Sequence, residues 1–223
     1  MRTGRELTIL SSMSNCETSP IGAPSAVLSA APPTVTAHSD ELKHFGAALA
    51  SFSSVALFHM VGVTPEAPAL EAAVHGCPIP KATGISADDF SAFHADFAAP
   101  GEKVDVVVFA APQLSLLELQ QLAGLIAGRR IHPASLVVAT SPEIKFAADR
   151  MGLTRNIEEA GGIVAAGVCF YQMYAREMAA ANGWQRLLTN SAKLVNIIAG
   201  YGYQPMLATM GRCIDSAIAG RIV

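Results

Sequence analysis

Hydrophobic positions along the chain alternate between short unbroken apolar runs and stretches where they recur every three or four residues. That alternation predicts strands separated by helices. The run over 55–61, VALFHMV, reads as a buried strand that passes through Gly62-Val63 into Thr64-Pro65-Glu66. There a hydroxyl cap, a proline at the first helical position and an acid at the positive helix end predict a helix over about 65–75, stopped by Gly76-Cys77-Pro78. Upstream, Ser39-Asp40-Glu41 opens a helix over 40–51 with Leu42, Phe45 and Leu49 on one face. Downstream, Ser86 caps a helix carrying Phe90, Phe93 and Phe97, and VDVVVF over 104–109 is a second buried strand. Ser115-Leu-Leu-Glu118 has capping-box spacing and predicts a helix to Gly128. A third strand over 136–139 ends in Ser141-Pro142-Glu143, repeating the Thr64-Pro65-Glu66 theme either as a common βα construction or as two good helix starts. Beyond it the pattern predicts a short helix over 156–160, a strand over 163–168, a helix over about 170–181 and a strand over 187–190. A helix start at Ser191 and a last helix over 211–219 follow. The fold class is therefore α/β, a mainly parallel sheet with helices on both faces. Residues 1–38 differ: rich in Ser, Pro and Ala, with Pro20, Pro24, Pro32 and Pro33, they read as an extended arm preceding a domain over 39–223.

Composition adds a partner to this picture. Hydrophobic residues make up 51% of the 223 and charged ones 15%, so burial against another chain is expected. No unbroken apolar run nears the roughly 18 residues of a membrane span, and a net charge of -3 offers no basic stripe for nucleic acid. Arg2 and Arg5 precede an apolar run too short for a signal-peptide core, which predicts a cytoplasmic protein. The four cysteines are scattered without a CxxC pair, predicting neither a disulfide framework nor a zinc knuckle.

Right-handed βαβ crossovers would gather the strand-to-helix turns on one sheet edge. Candidate substrate-binding residues are then Thr64, Glu66, Ser115, Asn190, Ser191 and Lys193, with Ser141 capping beside them. Their hydroxyls and N–H groups and the single ammonium would suit a small anionic substrate. Each cap equally well serves only its own helix. Lys193 is more specific, because a cation in a first helical turn opposes the dipole. His59, inside a strand, reads as a core histidine. Asp40-Glu41, Asp88-Asp89 and Glu158-Glu159 read as helix-start acids or solvated faces.

Five stretches in order carry a family resemblance: Asp40-Glu-Leu-Lys-His-Phe-Gly-Ala-Ala, Ala56-Leu-Phe-His-Met-Val-Gly-Val-Thr-Pro-Glu-Ala67, Pro112-Gln-Leu-Ser-Leu-Leu-Glu118, Thr189-Asn-Ser-Ala-Lys193 and Cys213-Ile-Asp-Ser-Ala-Ile-Ala-Gly-Arg221. Together they resemble the C-terminal part of the aconitase X large subunit. The resemblance implies an iron–sulfur hydro-lyase whose relatives dehydrate cis-3-hydroxy-L-proline in bacteria or mevalonate 5-phosphate in archaea. It also implies a small swivelling-domain subunit as partner. By the same resemblance Cys169 and then Cys213 are the candidate metal ligands, each of which also reads as a small buried hydrophobe, Cys213 more so, while Cys16 and Cys77 read as structural. The chain departs from the family at Ala110-Ala111-Pro112-Gln113, where the family shows Gly-Cys-Pro-His. The N-terminal half of the family's large subunit has no counterpart here, so either another chain supplies it or this is a truncated or degenerate relative.

Overall fold

The computed structural model describes residues 6–10, 25–31, 37–53, 55, 57–74, 77–79, 82–95, 97, 101–132 and 134–223. Two compact units divide the chain, Met1–Phe93 and His94–Val223.

The first unit holds a four-stranded sheet in the order β3-β2-β1-β4. Its strands are β1 (Glu6–Leu10), β2 (Ser25–Ala31), β3 (Leu57–Met60) and β4 (Ala82–Ile85). β1 pairs antiparallel with β2 and β4, while β2 runs parallel to β3. Two of these strands fall within the stretch read as an arm, so 6–10 and 25–31 are sheet rather than linker. Three helices accompany them, α1 (Ser39–Phe52), α2 (Leu70–Val74) and α3 (Ala87–Ala95). The first matches its prediction, and Phe45 meets Phe58 of β3 edge to face at 5.0 Å. The helix expected from Thr64 begins only at Leu70. Pro65 and Pro68 lie between, and a residue preceding proline is disfavoured in the helical region. Residues 60–67 form a tight turn instead, with the N–H groups of Val63 and Thr64 donating to the Met60 carbonyl. α3 stops at Ala95, so Phe97 lies beyond it. Cys77 is disulfide-bonded. That corrects the expectation of no disulfide, because spacing along a chain does not reveal which Cα atoms meet within bridging distance. Cys16 lies outside the described residues.

The second unit is a fully parallel five-stranded sheet in the order β7-β6-β5-β8-β9. It comprises β5 (Val106–Leu114), α4 (Leu116–Ile126), β6 (Ser135–Thr140), α5 (Pro142–Arg150), α6 (Leu153–Glu159) and β7 (Gly162–Ala166). α7 (Ala175–Asn182), β8 (Arg186–Thr189), α8 (Ala192–Ile198), β9 (Gln204–Leu207) and α9 (Met210–Ala219) complete it. Side chains of β5 alternate between faces. Val107 and Phe109 enter a core with Leu119, Leu122, Ile157, Met210 and Ile214, which places α4, α6 and α9 on that face. Val106 and Val108 enter another core with Ala175, Leu194, Ile198 and Tyr203, which places α7 and α8 opposite. The predicted two-sided parallel sheet is therefore present in this unit. Each fully buried Leu, Ile or Phe contributes roughly 1.5–3 kcal/mol, so both faces hold the strands in place. Among the described residues no helix is long and apolar enough to cross a membrane.

Candidate active site

Following β5 the chain winds outward through β6 to β7, then crosses back so that β8 and β9 lie on the other side of β5. β5 and β8 are thus neighbours whose following helices, α4 and α8, lie on opposite faces. The carboxyl ends of these two strands are therefore a topological switch point, the position where open α/β sheets bind ligands.

β5 supplies one wall. Its pairing with β6 shifts register between Phe109 and Leu114, and the Ala111-Pro112 bond in this stretch is cis. The departure leaves backbone carbonyls for side-chain donors. Ser191, 1% exposed, donates its hydroxyl to the Ala111 carbonyl and accepts from Leu194 N at 3.1 Å, so one residue caps α8 and ties it to β5. The Ser191 N–H in turn donates to Thr189 Oγ1 at 3.1 Å. Gln113 Nε2 donates to the Val168 carbonyl at 2.9 Å, linking β5 to the loop after β7. Thr140 Oγ1, fully buried, donates to the Leu114 carbonyl at 2.7 Å.

Asn190 and Lys193 flank Ser191, both half-buried. Among the described residues the Lys193 ammonium makes no hydrogen bond or ion pair. A half-buried cation at such a switch point is suited to a carboxylate or phosphate. Ser115 is a different case. Its N–H donates to Glu118 Oε2 at 2.8 Å and its hydroxyl accepts from Glu118 N at 3.2 Å, a capping box on its own helix. Ser141 likewise caps α5, accepting from Ile144 N at 3.2 Å, with Pro142 at the first helical position as predicted.

Thr64 and Glu66 belong to the first unit. They follow β3 of the separate four-stranded sheet, where Thr64 Oγ1 accepts from Met60 N at 3.1 Å and Glu66 is exposed. The expectation of one sheet carrying all the turns is corrected here. His59, on β3, is 6% exposed, as a core histidine would be.

The two thiols differ in kind. Cys169 is half-buried in the loop after β7, and its carbonyl accepts from Gln172 N and Met173 N at 3.1 Å. That turn delays α7 to Ala175, where the pattern had placed a helix from 170, and leaves Tyr174 in a left-handed conformation at φ 52°. Phe170 packs into the core on the α7 and α8 face. Burial, together with a hydrogen bond to the Cys169 sulfur, raises the pKa of the Tyr171 hydroxyl. The Tyr171 ring lies 6.3 Å from that of Tyr201, over which Arg176 sits at 5.0 Å. Cys213 is fully buried on α9 in the opposite core, and its Sγ donates to the Ala208 carbonyl at 3.6 Å. Burial pushes its thiol pKa strongly up. The structure thus places Cys213, a ligand candidate by resemblance, in the core on the α4, α6 and α9 face and not at the β5–β8 edge.

Described residues in this structure hold no group of three or more His, Cys, Asp or Glu able to share a metal ion. Thiolates hold iron–sulfur clusters, and at this edge Cys169 is the one accessible thiol among the described residues. This donor set does not fit the cluster that the resemblance implies.

Two open clefts lie at the other, amino edge of the sheet. One of about 400 Å³ is lined by Gly128, Arg129, Arg130, Asn156 and Glu159, and one of about 360 Å³ by Lys103, Asp105, Asn182 and Trp184. Both are gaps where helices return to strand starts. Two of their cations are engaged, Arg129 with Asp215 at 2.7 Å and Lys103 with Asp105 at 2.6 Å.

The family model of the aconitase X third domain matches residues 104–219, and that of the second domain matches 22–95. The chain is 34% identical over 185 residues to the cis-3-hydroxy-L-proline dehydratase of Pseudomonas aeruginosa, covering 82% of this chain and 32% of that protein. It is 34% identical over 172 residues to the phosphomevalonate dehydratase large subunit of Methanothermobacter thermautotrophicus, covering 75% and 40%. Among solved structures, holo-form aconitase X of Thermococcus kodakaraensis superposes with a TM-score of 0.69 at 26% identity, over 81% of this chain and 44% of that one. The chain thus spans well under half the length of the relatives it matches.

Proposed function

The chain belongs to the aconitase X family, and from that premise we propose that it supplies the acid-binding edge of a hydro-lyase. The substrate class is a small hydroxy acid such as cis-3-hydroxy-L-proline. The observation that carries this reading is the switch point between β5 and β8, where Ser191 is locked in place and the half-buried Lys193 ammonium has no protein partner among the described residues. Lys193 and Asn190 would hold the acid group, while Ser191 and Gln113 keep the strand ends at fixed spacing. Gln113 stands where the family has histidine, and an amide cannot transfer a proton at neutral pH. Gln113 therefore supplies no proton transfer here, and a partner chain would bring groups for eliminating water. The name "large subunit" borne by relatives such as that of Methanothermobacter supports a small-subunit partner.

The test is dehydration of cis-3-hydroxy-L-proline by this chain combined with a small subunit and the N-terminal half of a family large subunit. Turnover with KM raised at least about tenfold in Lys193→Ala, the scale of one lost charge-assisted hydrogen bond, is the expected result. Turnover indifferent to Lys193 would sink the assignment.

A second reading is favoured by Ala111 and Gln113 themselves. Both are engaged in hydrogen bonds that knit the edge together. On this reading the chain is a non-catalytic relative that keeps the fold and binds a partner or a small anionic metabolite. Tight partner binding without turnover would favour it.

A further inference from the structure

We infer that the carboxyl edge of this chain cannot hold an iron–sulfur cluster on its own residues, because it is knit together by hydrogen bonds at the positions where thiol and imidazole are missing. This rests on the reading of the β5–β8 edge as the working site. Three observations carry it. Ala111, with a methyl side chain, contributes only its carbonyl, which the buried Ser191 hydroxyl occupies. The Gln113 side chain is turned to the Val168 carbonyl, next to Cys169, so an amide spans from β5 to the thiol-bearing loop. Cys213, the other free thiol among the described residues, lies in the core on one face of the sheet, whereas the residue after Cys169 packs into the core on the other.

Alternation along β5 makes this separation firm. Phe109 shares the core of Cys213, while Val108 and Ala110 share that of Phe170. Bringing Cys213 to Cys169 would require α9 to leave its core or the sheet to open. A cluster ligated by several thiolates has one at this edge. Any cluster in the working assembly must therefore draw its other ligands from outside this chain's described residues.

The experiment is iron and acid-labile sulfide analysis, with visible absorption, on the whole chain after anaerobic reconstitution, alongside Cys169→Ala, Cys213→Ala and the double variant Ala111→Cys/Gln113→His. Circular dichroism verifies that each is folded. The wild-type chain is expected to retain iron and sulfide only at the level of Cys169→Ala, with Cys213→Ala the same. The double variant is expected to gain iron and sulfide severalfold over that background, lost again when Cys169 is also replaced. Stoichiometric iron and sulfide on the wild type, abolished by Cys169→Ala, overturns the inference, and so does a folded double variant that gains nothing. Neither result depends on turnover, so failure here and failure of the Lys193 assay are distinguishable.

Discussion

Asp105 shows how one side chain can fasten two strands. Burial works against its charge, but the Lys103 ammonium and the N–H groups of Arg186 and Gln185 outweigh that and hold its pKa below the usual carboxylate value. Its carboxylate accepts both N–H bonds at 2.9 Å, at the residues that begin β8. A carboxyl whose pKa is lower folded than unfolded stabilises the fold fully above the unfolded value of about 3.9. That contribution is lost as pH falls from there through the folded pKa. Asp105→Asn should therefore cost about 1–3 kcal/mol at neutral pH, and the gap to wild type should narrow at pH 3. Urea midpoints at the two pH values measure it, and an equal gap at both would refute the account. At the same scale Ser191 and Cys213 contrast. The first was legible as a cap from Thr189-Asn-Ser-Ala-Lys193, because capping is local chemistry. The place of Cys213 was left between ligand and small buried hydrophobe, since it follows from how α9 packs against strands distant in the sequence.

At the level of elements, the turns that read correctly are those whose chemistry is complete within four residues: Ser115 with Glu118, Ser141 with Pro142, and Ser191. The turn at Thr64 has the same signature but a second proline three residues on, and the proline restriction overrode the cap. Strands β1, β2, β4 and β9 went unread, and so did the division into two sheets. Pairing partners in a sheet are set by distant segments rather than by local pattern. Close packing of α6 on β7 is equally invisible in sequence. A Cβ at Gly162 would lie 2.8 Å from Ile157 Cγ2 and 3.1 Å from Leu136 Cδ2, whereas one at Gly124 in α4 would meet nothing within 4 Å. Gly162→Ala should then destabilise by about 1–3 kcal/mol through overpacking. Gly124→Ala should stabilise by up to about 1 kcal/mol, the helix-propensity gain. Opposite shifts in the denaturation midpoint are the expected pair, and a neutral Gly162→Ala would show that α6 can yield.

On the scale of the whole molecule, the second unit is closed by its own ends. Gly101 N donates to Ile222 O at 2.9 Å, Ile222 N to Glu102 O at 2.7 Å and Val104 N to Gly220 O at 3.0 Å. Lys103 and Arg221 form an antiparallel bridge. The chain thus enters and leaves this unit at one place, after β9 and α9 have completed the sheet and the core on one face. Both faces of its sheet are covered by helices from within the unit, and each strand finds its partner there. A domain with its own core on both faces of the sheet should fold alone. A fragment of residues 94–223 is expected to unfold in one cooperative transition with mixed α/β circular dichroism. It still exposes Leu117, Phe146, Met151 and Ile163 by more than half, and these apolar side chains belong to α4, β7 and the α5–α6 region of one sheet end. Self-association that rises with concentration is therefore expected in sedimentation, while the fold itself persists. A fragment that is unfolded at every concentration would show that the unit depends on residues before 94 for its core.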